Sequence, residues 1–221
     1  ALTGSTGIKT AGNITTTADN VTFKSATTLT GGIVIDTDTG AGNITFSSTL
    51  DSDTTAARSL GLTAGTGNIT FTGLVGATRT LDAATVNNAH NVTINGLRAA
   101  SFAQTTGTGT TTINTGVFAS TPQGLATTGS LGVSIQNATI TVNDSIDTVG
   151  GGGVTLNATD ATDGVLTLAA EGDINADGAV HLTGAAGIQT AGDIETTSDH
   201  VTFASATTLT GNVDVYTTAT A

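Results

Sequence analysis

Pairs of apolar residues that flank a single polar residue recur along the whole chain. Val21 and Phe23 flank Thr22 in this way, and Val154 and Leu156 form another such pair. Residues two apart point to the same side of a β-strand, so each pair predicts a strand with one buried face and the intervening residue towards solvent. Gly, Thr and Asn interrupt every window before a helical 3.6-residue apolar stripe can build up. The pattern therefore predicts an all-β protein.

The apolar positions repeat with a period of about 20 residues. In the first part of the chain they follow one another in steps of about six to eight residues, and Ile14 to Ile35 forms one full circuit of three steps. Three short strands per circuit predict a parallel β-helix, or β-solenoid, whose rungs stack roughly 4.8 Å apart through main-chain hydrogen bonds. Residues 1–221 are expected to form a single continuous solenoid of about eleven rungs.

One stretch occurs twice. Residues 2–31 recur as residues 182–211, with 22 of 30 positions identical. Its apolar positions are unchanged and are the predicted core residues: Ile8, Ile14, Val21, Phe23 and Leu29 in the first copy, and Ile188, Ile194, Val201, Phe203 and Leu209 in the second. This 180-residue superrepeat indicates a periodic polymer. We expect other copies, or a covalent continuation, end to end along the fibre axis.

Two other fold interpretations are weaker. A string of β-sandwich domains requires tight hairpin turns, and Asn-Gly occurs once, at Asn95–Gly96. Disorder is disfavoured because low-complexity chains do not place aliphatic pairs so regularly. Residues 98–130 break the rhythm and contain the single Pro, Pro122, so this region is predicted to be irregular, with Ser120–Gly124 as a loop that leaves the solenoid.

Composition excludes several classes of function. The net charge is −12 with five scattered basic residues, so no basic patch for nucleic acid is present. The chain has no Cys for disulfides or thiolate chemistry, and no apolar run long enough for a membrane helix, so no membrane insertion is expected. Aromatic residues make up 3%, which leaves a thin aliphatic core.

Asn residues that directly precede apolar strand positions form the most regular polar signal. Asn tolerates turn geometry and forms local hydrogen bonds there. Stacked at one corner of successive rungs, such residues predict a structural ladder. The predicted members are Asn13, Asn20, Asn43, Asn68 and Asn91.

Acidic pairs are the candidates for metal binding. Asp36 and Asp38, and Asp160 with Asp163, are calcium candidates, but no bidentate Glu follows at the position that an EF-hand loop requires. Solvated turn carboxylates are the favoured interpretation, so we expect no cofactor, with calcium as the alternative. No catalytic residue is identified. A polysaccharide-active β-helix enzyme would need two carboxylates at a fixed separation.

Two further patterns bear on binding. The spacing between His181 and His200 is close to one rung, which is compatible with a metal pair. Thr-x-Thr pairs such as Thr28/Thr30 and Thr110/Thr112 are similar to the surfaces of ice-binding solenoids. They do not keep the 20-residue period, and this disfavours such a surface.

Three segments carry a family resemblance: RSLGLTAGTGNITF from Arg58, SFAQTTGTGT from Ser101 and GGGGVTLN from Gly150. They resemble filamentous-haemagglutinin-like adhesins and related giant bacterial surface proteins with β-strand repeats. The resemblance implies a right-handed parallel β-helix, secretion to the extracellular cell surface, and a structural or adhesive role without catalysis. The predicted irregular region 98–130 gives an alternative function: a receptor- or glycan-binding adhesin module, with a host or neighbouring-cell surface as partner.

Overall fold

The computed structural model describes residues 1–119 and 121–217. These residues contain 28 strands and no helix, and all but one pair of strands run parallel. The strands stack as a β-solenoid of about nine turns with three strands per turn. The all-β prediction and the parallel β-helix prediction are confirmed. Among the described residues there is no helix of the length and apolarity needed to span a membrane.

The three strands of each turn lie on three faces, which we number in chain order. Face 1 comprises β1 (Ile8–Thr10), β4 (Thr27–Leu29), β7 (Leu50–Ser52), β16 (Leu125–Thr127), β19 (Ile146–Thr148), β22 (Ile174–Ala176), β25 (Ile194–Thr196) and β28 (Val215–Tyr216). Face 2 comprises β2 (Ile14–Thr15), β5 (Ile33–Asp36), β8 (Leu60–Thr63), β10 (Leu81–Asn88), β17 (Val133–Asn137), β20 (Val154–Ala158), β23 (Val180–Gly184) and β26 (Val201–Phe203). The long strand β12 (Leu97–Gln104) turns the corner, pairing with β16 by its first half and with β17 by its second.

Face 3 is the most regular, since each of its nine strands pairs with the next in sequence along the axis. It comprises β3 (Val21–Phe23), β6 (Ile44–Phe46), β9 (Ile69–Phe71), β11 (Val92–Asn95), β13 (Thr110–Asn114), β18 (Thr139–Val142), β21 (Val165–Leu168), β24 (Gly187–Thr190) and β27 (Thr207–Leu209). The exception to parallel pairing is a hairpin of β14 (Gly116–Phe118) and β15 (Thr121–Gln123).

Turn length is longer than predicted. The average is roughly 23 residues per turn, so the chain forms about nine turns and not the eleven expected from a shorter period. Individual turns vary: Asn91 bonds to Thr110, 19 residues on, whereas Thr110 bonds to Thr139, 29 residues on. The strands are short and constant while the corners absorb the extra residues, and corner residues leave no apolar signal from which their number could be counted.

The core is a single hydrophobic column inside the tube, mostly aliphatic with a few Phe rings. Five of the ten predicted core residues are buried in it, and four more, among them Ile8 and Phe203, pack against it half-buried. The tenth, Leu209, is 63% exposed and corrects the prediction. Leu209 lies on β27, and no described strand stacks on the far side of β27 to cover it. Its counterpart Leu29, in the interior of the stack, is fully buried.

Three Phe rings form a stack inside the first turns. The ring centroids of Phe23 and Phe46 are 4.7 Å apart with an interplanar angle of 8°, and those of Phe46 and Phe71 are 5.4 Å apart at 10°. The rings stack because the strand register of face 3 makes these residues direct partners on adjacent strands. On the next strand Ile94 takes the place of a fourth ring.

The two copies of the repeated stretch keep their strand pairing but lie on different faces. Ile8 pairs with Thr27 on face 1, and the equivalent residues Ile188 and Thr207 pair in the same way on face 3. The 180-residue offset therefore corresponds to about seven and two-thirds turns, which rotates the second copy by a third of a turn.

The region 98–130, predicted to be irregular, is mostly strand. β12, β13 and β16 all lie in the regular stack, and the departure is confined to the β14–β15 hairpin. Pro122 sits in this hairpin opposite Val117, which is 57% exposed. The predicted loop from Ser120 to Gly124 is thus largely the second hairpin strand, although Ser120 itself lies outside the described residues. The prediction of an irregular region was wrong because it rested on the Thr- and Gly-rich composition. Strand formation here depends instead on packing against neighbouring strands and on burial.

Candidate functional site

The Asn ladder exists on one corner, at the start of the face 3 strands. The Oδ1 atom of Asn20 accepts the main-chain N–H of Asn43 at 2.8 Å, Asn43 accepts that of Asn68 at 2.7 Å, and Asn68 accepts that of Asn91 at 3.1 Å. Asn91 continues the ladder by accepting the N–H of Thr110 at 2.8 Å. Each side chain satisfies a corner N–H of the next turn, which is a structural function.

Asn13 does not belong to this ladder. It lies before a face 2 strand and accepts the N–H of Val34 at 2.8 Å. Its equivalent in the second copy, Asp193, accepts the N–H of Asp214 at 2.8 Å and donates its own N–H to Asp173, also at 2.8 Å. The sequence could not separate these corners, since the face on which a corner lies depends on the lengths of all preceding turns. In the second copy the result is a stack of three carboxylates, each one turn from the next.

A second Asn ladder, at the other end of the face 3 strands, was missed. The Nδ2 atom of Asn114 donates to Oδ1 of Asn95 at 3.0 Å, and that of Asn143 donates to Oδ1 of Asn114 at 2.9 Å. These Asn residues follow their strands, with spacings of 19 and 29 residues. The signal was therefore obscured by the long hairpin turn between the last two.

Between the two ladders, face 3 carries a column of Thr. The register aligns one outward residue per strand, and seven consecutive turns have Thr there: Thr22, Thr45, Thr70, Thr93, Thr112, Thr141 and Thr167. Gln189 follows, and then Thr208. All seven Thr are half-buried. For the first four members the signal in the sequence is a Thr two residues after a ladder Asn, as in Asn20-Val-Thr22. Of the Thr-x-Thr pairs considered above, Thr110/Thr112 contributes one member, Thr112.

The calcium candidates are held by their own turns. Asp36 accepts the N–H of Asp38 at 2.8 Å. Asp160 accepts the N–H groups of Thr162 and Asp163 at 2.8 and 2.9 Å, and the pKa of Asp160 is lowered, first by the Asp163 bond. Across residues 1–119 and 121–217 no group of three or more His, Asp or Glu side chains comes together to hold a metal ion. The expectation of no cofactor, with calcium as the alternative, stays a prediction.

His181 and His200 are not stacked on adjacent turns. The register places Thr202 beside His181, while the main-chain oxygen of His200 accepts the N–H of Val180. His181 therefore lies within β23, whereas His200 lies just before β26, two residues away from the position that pairs with His181. Their spacing in the sequence is close to one turn without matching the register.

An ion pair closes a corner loop on the surface. Arg58 donates from Nε to Oδ1 of Asp53 at 3.1 Å and from Nη2 to Oδ2 at 3.0 Å. This bidentate contact holds the pKa of Asp53 well below its usual range and raises the pKa of Arg58. Both ions are engaged with each other, so the pair serves the loop rather than a ligand.

A shallow groove on face 1 brings two carboxylates near each other, those of Asp177 and Glu195. It has a volume of about 280 Å³ and is lined by Thr148, Asn175, Asp177, Glu195 and neighbouring side chains. The Thr197 hydroxyl and the Gly151 N–H each donate to Asp177 at 2.7 Å, which lowers its pKa. Glycoside hydrolysis needs a carboxylic acid with a raised pKa. The pKa of Asp177 is lowered, which does not suit that acid role, and its carboxylate instead holds the Gly-rich turn through the N–H of Gly151.

The hairpin is anchored to face 1 by polar and aromatic contacts. Gln123 accepts from Nε of Arg98 at 2.7 Å and donates to Oδ2 of Asp147 at 2.9 Å. The guanidinium of Arg98 lies 4.0 Å from the centroid of the Phe118 ring, which is buried. These contacts fix the base of the hairpin while Val117 remains exposed.

Comparison of the chain with protein-family models, with curated proteins and with solved structures finds no match.

Proposed function

We propose that the chain is a structural segment of a very long extracellular fibre or cell-surface stalk, of the filamentous-haemagglutinin-like type, without catalysis. Its role is mechanical: the solenoid acts as an extended, rigid spacer, because main-chain hydrogen bonds on three faces hold each turn to the next. The engaged carboxylates described above support a plain polar surface in preference to a reactive one. Other copies, or a covalent continuation, act as partners along the axis.

The observation that carries the proposal is the register that both copies of the repeat share. Ile14 pairs with Ile35, and the equivalent Ile194 pairs with Val215 at the same offset. Residues 188–216 thus pair with the same register as residues 8–36. A unit whose end reproduces its beginning can be repeated without a new type of junction.

The third-of-a-turn rotation adds a geometric consequence. In a fibre built from the 180-residue unit, each unit presents its hairpin rotated by a third of a turn from the last. Three units, about 540 residues, restore the original direction after about 23 turns. The fibre therefore displays its hairpins in three directions along its length.

The test is the size and location of the native polypeptide. An antibody raised against the chain should label intact, unpermeabilised cells and detect a polypeptide several times larger than the 21.5 kDa of the chain. Electron microscopy of that polypeptide should show a rod with about 4.8 Å of length per turn. A protein of 21.5 kDa found inside the cells, monomeric and monodisperse, would contradict the proposal.

A second candidate is adhesion through the hairpin. The observation that favours it is the turn of 29 residues that inserts β14 and β15 into an otherwise parallel stack, with an exposed Val117. Replacement of residues 117–122 by Gly-Gly in the native fibre separates the two functions. A pure stalk keeps cell attachment, whereas a receptor- or glycan-binding hairpin loses it although fibre length is unchanged.

A further inference from the structure

The Thr column of face 3 is not a consequence of composition. About a quarter of the chain is Thr, yet Thr occupies eight of the nine aligned outward positions on this face. The equivalent outward column of face 1 holds a single Thr: its residues are Lys9, Thr28, Asp51, Gly76, Arg98, Ala126, Asp147, Asn175, Glu195 and Tyr216. The same chain, in the same fold, thus provides an internal comparison.

The hydroxyls of this column are not used by the protein. The flanking Asn side chains bond to one another or to main-chain groups, and the Thr110 hydroxyl lies 2.6 Å from that of Thr139. Within residues 1–119 and 121–217, by contrast, the hydroxyls of the seven Thr of the column make no hydrogen bond to the protein. Each hydroxyl can both donate and accept. The column therefore offers a row of free hydroxyls about 4.8 Å apart and about 29 Å long.

Face 3 also carries almost no charge, whereas the rest of the surface is acidic. Its outward positions next to the Thr column are the two Asn ladders and small residues, with Lys24 the one charged side chain among those that the structure describes. In a chain of net charge −12, such a face disfavours ions and charged polymers as ligands. Among the described residues, the outward positions of the face 3 strands carry no aromatic ring that could stack against a sugar.

We propose that face 3 binds ice. The ligand that suits this face is neutral, extended in two dimensions and built of groups that each donate and accept hydrogen bonds. Crystalline water has these properties. The free hydroxyls form one row with a repeat of about 4.8 Å, flanked about 6.7 Å away along each strand by outward residues that are mostly Asn or small. A crystalline array of water molecules can match such a regular row. The proposal is independent of the fibre proposal, since a stalk without this property remains a stalk.

The experiment measures partition of the chain into slowly growing polycrystalline ice, against serum albumin as an excluded protein. The wild-type chain should be enriched in the ice fraction. Thr93→Tyr places a protruding ring in the middle of the column and should lower the enrichment about tenfold or more. The matched control is Thr85→Tyr, an equally half-buried outward Thr on face 2, between Gly61 and Ala103, which should keep wild-type enrichment.

Tyr is well tolerated in strands, and circular dichroism checks that both variants fold. If Thr93→Tyr does not fold, Thr112→Ala removes a hydroxyl and a methyl from the same column without added bulk, and several-fold loss is expected. Exclusion of the wild-type chain from ice overturns the proposal, as does equal loss in Thr85→Tyr. Two other outcomes would also overturn it, if the wild-type chain does not bind ice. Binding to an insoluble neutral glucan that Thr93→Tyr abolishes would assign face 3 to a polysaccharide. Dimerisation in sedimentation that Thr93→Tyr abolishes would assign face 3 to a second copy of the chain.

Discussion

The central ring of the Phe stack gives the sharpest test of how the solenoid is held together. Phe46 is 1% exposed and contacts one ring on each side, Phe23 and Phe71. Truncation of a buried Phe to Ala costs about 3–5 kcal/mol. Each stacked pair adds about 0.5–1.5 kcal/mol beyond the burial of its area. Phe46→Ala should therefore lie at or above the upper end of the usual range.

The chain contains its own control. Phe102 is also 1% exposed, but it has no ring partner among the described residues. Phe102→Ala removes the same atoms from the same kind of core without breaking a stack. We expect Phe46→Ala to destabilise by about 1–3 kcal/mol more than Phe102→Ala, which is the sum of two ring pairs.

Urea unfolding monitored by circular dichroism measures both variants, and hydrogen exchange locates the loss, because solenoids do not always unfold in one step. A double-mutant cycle of Phe23→Ala and Phe46→Ala isolates one pair and should give a coupling of about 0.5–1.5 kcal/mol. Equal costs for Phe46→Ala and Phe102→Ala, together with a coupling near zero, would refute the role assigned to stacking.

Two further predictions concern the carboxylates. Asp193→Asn keeps the hydrogen-bond acceptor and removes one charge from the carboxylate stack. In urea unfolding it should therefore stabilise the chain by about 0.5 kcal/mol at low salt and by less at high salt. The reciprocal control, Asn13→Asp, has the uncharged Val34 as its partner and should not gain stability. Asp160 has a lowered folded pKa, so its contribution is present above about pH 4, the unfolded value, and is lost as pH falls through the folded value. The stability difference between wild type and Asp160→Ala should therefore shrink below about pH 4, and a difference that grows on acidification would contradict this sign.

Much of the fold was predictable because it depends on local pattern. The alternation around Val21 and Phe23 indicates a strand whatever the face on which it lies, and the Asn that precedes it indicates a corner. These features are set by neighbouring residues, so a single sequence shows them. The core residues of the first copy and four consecutive members of the Asn ladder were identified on this basis.

What could not be predicted depends on summed turn lengths. Asn13 and Asn20 look equivalent in sequence, yet they lie on different corners, because one face of the solenoid lies between them. The Thr column was missed for the same reason, since turns of 19, 23, 25, 26 and 29 residues bring its members into register. A fixed 20-residue period cannot detect an alignment that corner loops of variable length create.

The rotation of the repeat shows what the sequence specifies and what it leaves free. The 22 identical positions fold with the same pairing in both copies, but each strand of the second copy lies on a different face from its counterpart: β1 is on face 1 and β24 on face 3. The information in the stretch is therefore its register with the next turn, and not the face on which it lies. Interior positions are kept in both copies because every face demands the same aliphatic packing. Outward positions such as Lys9 and Gln189 are free to differ because the two copies face different directions. A column as uniform as the Thr of face 3 is not required by that packing, and this separates it from the structural features of the solenoid.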